Sequence, residues 1–164
     1  MGKPLVSYKK GELYETLVDE YGVFENYYDV LVFLAVVGYN EGRVKRSGHT
    51  GRSDDLNSEA GLQNVYSRDL YRTITACLAF EDTNDPEALV DEAEHKRVLS
   101  QYSAGGLAVA EEEFGSVAGD PTDAIVSYIR DRHESAGIGN EDTLLGEIVQ
   151  SFDDQMMTTS GGGQ

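Results

Sequence analysis

The residues best suited to chemistry in this chain are Arg43, Lys45, Arg46 and Arg52, with His49 among them. Four of the thirteen basic residues therefore fall within ten positions. Guanidinium and ammonium groups at that density can hold phosphate or carboxylate oxygens, Arg as a two-pronged fork and Lys as a point charge. They lie in Glu41–Asn64, EGRVKRSGHTGRSDDLNSEAGLQN, which has four glycines and many Ser, Asn and Asp. The stretch reads as a long exposed loop, basic in its first half and acidic at Asp54-Asp55. Structureless loops of that length in a compact domain are functional or disordered. Arg43, Lys45, Arg46, His49 and Arg52 are thus candidate contacts for a partner protein or nucleic acid.

Other chemistry has no comparable signal. Walker A, GxSxG, HExxH and paired CxxC sequences are absent. Gly105-Gly106 and Gly161–Gly163 lack both the preceding strand and the following Lys-Ser/Thr of a phosphate loop. His49, His95 and His133 are far apart in polar stretches and are expected to be solvated rather than metal-bound. With 30 acidic residues, carboxylate pairs arise by chance, and none is assigned to acid–base work. Glu111-Glu112-Glu113 reads as a solvated helix face. No cofactor or metal is expected, and no catalytic residue is assigned. The ten tyrosines could stack on bases. Most fall on apolar stripes, however, so Tyr27, Tyr28, Tyr71, Tyr102 and Tyr128 are expected in the core with hydroxyls at the surface.

The element that must organise these residues is Tyr27–Tyr39, YYDVLVFLAVVGY, the most apolar run in the chain. Val, Phe and Tyr also suit a buried strand, but the run's length and flanking caps favour a helix. Asn26 is the expected N-cap, Asp29 suits the positive end of the helix dipole, and Asn40-Glu41-Gly42 provides the stop. The run is too short and too flanked by charge to span a bilayer. Before it, Met1–Lys10 is an extended lead-in. Gly11–Tyr21 is an amphipathic helix through Leu13, Tyr14, Leu17, Val18 and Tyr21. After the loop, Val65–Phe80 has helical spacing at Val65, Leu70, Tyr71, Ile74, Leu78 and Ala79, with Cys77 a small packing residue beside it. Asp85 and Pro86 open the next helix, which Gly105-Gly106 kinks, breaks or fits for close approach to another helix. Asp120-Pro121 opens a helix through Ile125, Tyr128 and Ile129. Glu134–Asn140 reads as a loop and Glu141–Phe152 as a last short helix. The expected fold is all-α: five or six helices around a central buried helix, in a single domain over residues 1–152. Residues 41–64 form its exposed loop, and residues 153–164 a disordered tail.

The formal net charge is −17, with five lysines against eight arginines. An acidic, lysine-poor surface keeps a protein hydrated in molar salt, where the Debye length is about 3 Å and self-repulsion is screened. A halophile's cytoplasm is the expectation, with an ordinary acidic protein as the alternative. Cys77 is the only cysteine, which excludes an intrachain disulfide and fits a reducing compartment. The first residues, MGKPLVSYKK, have no apolar region of the signal-peptide kind.

Several stretches together are similar to the DNA phosphorothioation (Dnd) system-associated protein 4 family. They are GVFENYYDVLVFLAVVGYNEGR at Gly22–Arg43, LYRTITACLAFEDTNDPEAL at Leu70–Leu89 and LSQYSAGGLAVAEEEF at Leu99–Phe114. The similarity spans roughly residues 11–130 and lies in packing and turn motifs. It implies accessory work in phosphorothioation-linked modification or restriction of DNA, a defence against foreign DNA. A small helical protein in that setting would act by binding other proteins of the system, with DNA as a further ligand of the basic loop and a homo-oligomer left open. The alternatives are a metal-dependent nickase or nuclease subunit and a transcriptional regulator of the defence genes. A regulator needs a basic recognition helix, and none of the expected helices has such a face. Four phosphate contacts would give a log–log salt slope of about −3.6, which disfavours DNA as sole ligand in a salt-rich cytoplasm.

Overall fold

A computed structural model of the chain describes residues 3–50 and 57–139. Two compact units divide it, Met1–Pro121 and Thr122–Gln164. The first opens with β1 (Leu5–Lys9), which turns Val6 and Tyr8 inward and Leu5 and Ser7 outward. β1 pairs antiparallel with β2 (Asn57–Gly61), from Leu5 opposite Gly61 to Lys9 opposite Asn57. This two-stranded sheet is an addition to the expected all-helical fold. Its second strand, NSEAG, is drawn into the ladder by backbone hydrogen bonding and has no strand-forming side chains of its own.

α1 (Glu12–Glu15) runs directly into a π-turn at Thr16–Glu20, where a single longer helix was expected. Gly22 at φ +59° then reverses the chain, and the Phe24 N–H donates back to the Leu17 carbonyl at 3.1 Å. α2 (Tyr27–Asn40) is the anticipated core helix. Asp29 accepts the backbone N–H of Asn26 at 3.0 Å, the return half of a capping box. At the other end Gly42 takes φ +65°, and the Arg43 N–H donates to the Gly38 carbonyl at 2.8 Å. That bond closes the helix in the Schellman manner.

α3 (Leu62–Tyr66) and α4 (Asp69–Thr83) replace the one helix expected over Val65–Phe80. The break resets the helical phase, so Leu70 is two-thirds exposed (67%) and Cys77 is exposed, against the expectation that both pack. Asn84 ends α4 in the left-handed region. Asp85 and Pro86 start only a 3-10 turn, Pro86–Leu89. The N-cap of the long helix is Asp91, whose carboxylate accepts the Ala93 and Glu94 N–H groups at 2.9 and 3.4 Å.

That helix, α5 (Glu92–Phe114), is continuous through Gly105-Gly106. Together α2 and α5 form the centre of the unit, with β1 and α4 also against α5. Close approach explains the glycine pair. A Cβ on Gly106 would stand 1.8 Å from the Leu34 carbonyl oxygen, and one on Gly38 2.1 Å from that of Tyr102. The two backbones therefore touch, and Leu31, Leu34, Val98 and Leu99 are fully buried. In the second unit α6 (Thr122–Gly139) starts just after Asp120-Pro121 as expected. It continues through the segment expected to be a loop from Glu134. The expected helix at Glu141–Phe152, the tail and Arg52 lie outside the described residues.

Candidate contact surface

The basic loop leaves α2 with its root fixed to α5. The Lys45 N–H donates to the Gln101 carbonyl at 3.1 Å, one turn before the glycine pair. Arg46 then spans the gap to the end of α4. Its guanidinium grips both oxygens of Asp82, Nη2 to Oδ1 at 2.6 Å and Nη1 to Oδ2 at 3.1 Å. Arg97 Nη2 lies 2.8 Å from Oδ2, and the Tyr102 hydroxyl donates to Oδ1 at 2.7 Å. Gln101 Oε1 accepts from Arg46 at 2.8 Å and from Arg97 at 3.0 Å. Glu94 completes the group beside Arg97.

Asp82 is thus a carboxylate only 5% exposed with four donors on it. Hydrogen bonding from Arg46, reinforced by Tyr102 and Arg97, outweighs burial and holds its carboxyl well below the usual carboxylate range. Burial, then the bond to Asp82, pushes the Tyr102 phenol up to about 12. The arrangement ties the loop, α4 and α5 into one brace. Nothing in the residues around Asp82 announces it, because Asp82 is one of thirty acids. The only local hint is the four-residue spacing of Arg97 and Gln101.

The other loop residues are placed differently. Arg43 is half-exposed (47%) and lies 3.4 Å from Glu112, a surface pair. Lys45 is half-buried, with no acid within ion-pair distance among the described residues. Gly48 turns at φ +69°, and His49 follows, half-buried, its Nδ1 enclosed without a hydrogen-bond partner among the described residues. Arg43, Lys45 and Arg46 therefore share one short segment, with Arg46 turned to Asp82.

His95 overturns the expectation of a solvated ring. It is 3% exposed, on a stripe with Val98, Leu99 and Tyr102. Nε2 lies 2.9 Å from the Ala88 carbonyl, so it carries the proton, and Nδ1 accepts from the Tyr66 hydroxyl. Of the tyrosines expected in the core, Tyr102 is buried and Tyr27, Tyr28 and Tyr71 are half-buried. Among the described residues, no three His, Cys, Asp or Glu side chains are grouped to hold a metal ion. Nor is any helix among them long and apolar enough to cross a membrane.

These features define a small helical-bundle protein with an acidic exterior and a cross-braced basic loop. The chain belongs to the DNA sulphur modification system-associated protein 4 family, whose pattern matches residues 6–147. The family description associates it with a DNA sulphur modification system. No curated protein and no solved structure matches the chain.

Proposed function

We propose that the protein is a non-catalytic accessory component of its DNA sulphur modification system and acts by binding. Its main ligand is another protein of the system, met by the loop Gly42–Arg52, with DNA as a secondary ligand of the same residues. The observation that carries this reading is the brace at the loop root. Lys45 is held to Gln101 by its backbone and Arg46 to Asp82 by its side chain, so Arg43 and Lys45 stand on a fixed base. Pre-organised cations lose less entropy on binding than cations on a free chain.

Arg46 must be left in place in the test, because its removal would disturb the brace. Arg43, Lys45 and Arg52 are replaced together by alanine, and co-purification from the native host is compared with wild type. The reading expects the partner proteins to be lost while the melting temperature is kept. Unchanged recovery of the same partners would refute it. Tight duplex binding by the isolated protein at molar salt, abolished by the same change, would put DNA first. Chelator-sensitive nicking of plasmid DNA by the purified protein would favour the nuclease alternative.

A further inference from the structure

A second cationic surface lies where α3 gives way to α4. The Arg72 N–H donates to the Arg68 carbonyl at 3.0 Å, which sets the two residues one turn apart. The Arg68 guanidinium lies 5.5 Å from the Tyr71 ring centroid and 6.0 Å from that of Tyr28. The Arg72 guanidinium lies 5.1 Å from the Tyr66 ring. The rings themselves are anchored. The Tyr71 hydroxyl donates to Asp29 Oδ1 at 2.7 Å, Tyr28 stands edge-on to Tyr71, and the Tyr66 hydroxyl is bonded to His95.

Arg68 turns one donor to the Tyr28 hydroxyl, and neither fork makes a close carboxylate pair among the described residues. The carboxylates nearest Arg68, on Glu25 and Asp29, are each 3.9 Å away, beyond hydrogen-bond length. Arg72 has no ion pair among the described residues. Arg46 and Arg97, by contrast, approach Asp82 to 2.6 and 2.8 Å. Against 30 acids in the chain, two guanidiniums on an aromatic base without a close carboxylate partner among the described residues leave donors for an outside anion. Such a fork is shaped for a planar anion, a carboxylate or a phosphate.

Two observations favour carboxylate. The ring faces that could stack on bases already carry arginines, which removes the main source of single-strand affinity. A net charge of −17 also repels a polyanion over many phosphates, whereas one or two carboxylates meet only the two forks. We propose that Arg68 and Arg72, set on Tyr28, Tyr66 and Tyr71, form a docking surface for an acidic segment of a partner protein. Two carboxylates about one helical turn apart would engage one fork each. Arg and Tyr are the residues that dominate the energetics of protein interfaces. The surface does not use the loop Gly42–Arg52, so its failure would leave the loop reading standing, and the reverse.

The test is an NMR titration of the full chain that reads the arginine side-chain Nε–H signals directly. The probes are a short helical peptide with glutamates four residues apart, its glutamine analogue, and a single-stranded oligonucleotide of similar length. The glutamate peptide should shift the Arg68 and Arg72 signals saturably, and the glutamine analogue should not. Arg72→Gln should weaken the peptide by about tenfold or more. Arg72→Lys should not restore it, because the ammonium keeps the charge and loses the fork. Absence of shifts with the glutamate peptide, equal shifts with glutamine, or full rescue by lysine would overturn the proposal. Tighter binding of the oligonucleotide at the same two arginines would overturn the choice of a protein partner. Should Arg72→Gln fail to fold, the wild-type titration alone still decides.

Discussion

Replacement of Asp82 by asparagine gives the sharpest account of what holds the loop. The change keeps the shape of the side chain and one acceptor, but turns an NH2 group toward the arginines. Four donors converge on the native carboxylate, which is 5% exposed. Hydrogen bonds to charged groups contribute about 1.5–3 kcal/mol each when deleted singly, and they do not add. Removing one member of a buried ion pair costs about 3–5 kcal/mol. Arg46 is 54% exposed and Arg97 30%, so water can solvate the stranded guanidiniums and the loss falls to about 2–4 kcal/mol. Denaturant unfolding should show a lower midpoint with an unchanged slope. A double-mutant cycle of Asp82→Asn with Arg46→Gln should give a coupling above about 1 kcal/mol, persisting in molar KCl because the carboxylate is shielded. The pH dependence follows from the depressed carboxyl of Asp82. Its contribution is full above the unfolded value of about 3.9 and is lost at about 1.4 kcal/mol per unit as pH falls below that, toward the lower folded value. The stability gap between wild type and Asp82→Asn should therefore be flat near neutrality and narrow below about pH 4. A loss under about 0.5 kcal/mol, which is the scale of the exposed Arg43–Glu112 pair, would show that the brace holds nothing.

Gly106→Ala should destabilise by more than about 3 kcal/mol or prevent folding, since the new methyl would stand 1.8 Å from a backbone oxygen of Leu34, and a thermal melt near wild type would refute the backbone contact of α2 and α5. Tyr71 and Tyr102 are both pushed up to about 12, chiefly by burial and then by their bonds to Asp29 and Asp82. Their folded-state advantage is full below about pH 10 and is lost as pH rises from there toward 12. Ultraviolet titration should find these two phenols protonated at about pH 11, with Tyr71→Phe and Tyr102→Phe each removing one late-titrating group. The melting midpoint should rise between low salt and molar KCl, because screening relieves the self-repulsion of a −17 chain; an unchanged midpoint would count against adaptation to salt.

The parts of the fold legible in the sequence are those specified by adjacent residues. α2 follows from an apolar run bracketed by Asn26-x-x-Asp29 and Gly42, whereas Gly105-Gly106 fits a kink, a break or close approach equally in sequence, and the contact with α2 selects the last. What was hidden depends on register between distant elements. β2 has strand geometry because Leu5–Lys9 lies alongside it, and nothing in Asn-Ser-Glu-Ala-Gly announces that. His95 looked solvated within Glu-Ala-Glu-His-Lys-Arg, although its spacing to Val98, Leu99 and Tyr102 was a signal that it faced inward. Leu70 fits the buried stripe only if one helix runs through, and the break between Tyr66 and Asp69 shifts the helical phase and turns it outward. The charged cluster of the loop was visible as composition. Its division into a structural Arg46 and a presented Arg43 and Lys45 was not, because Asp82 is chosen from thirty acids by the packing of α4 on α5.

That division changes what the loop can do. Counted from sequence, Arg43, Lys45, Arg46 and Arg52 offer four phosphate contacts and a salt slope of about −3.6. With Arg46 bound to both oxygens of Asp82, engaging a phosphate means giving up two charge-assisted bonds, and leaving Arg46 out of the count takes about 0.9 off that slope. Fewer contacts make binding less salt-sensitive but also weaker at every salt concentration, while the −17 charge still opposes duplex DNA at low ionic strength. Neither extreme then favours DNA as the main ligand. A protein interface escapes the conflict, since apolar burial is not screened and a rigid loop root lowers the ordering cost. The same brace that removes Arg46 from the count of free cations is what would make Arg43 and Lys45 effective in a protein–protein contact. Arg46→Gln should consequently weaken partner capture through loss of order at the loop root, and raising the salt should not deepen the defect. A defect that grew steeply with salt would instead assign Arg46 to direct phosphate contact.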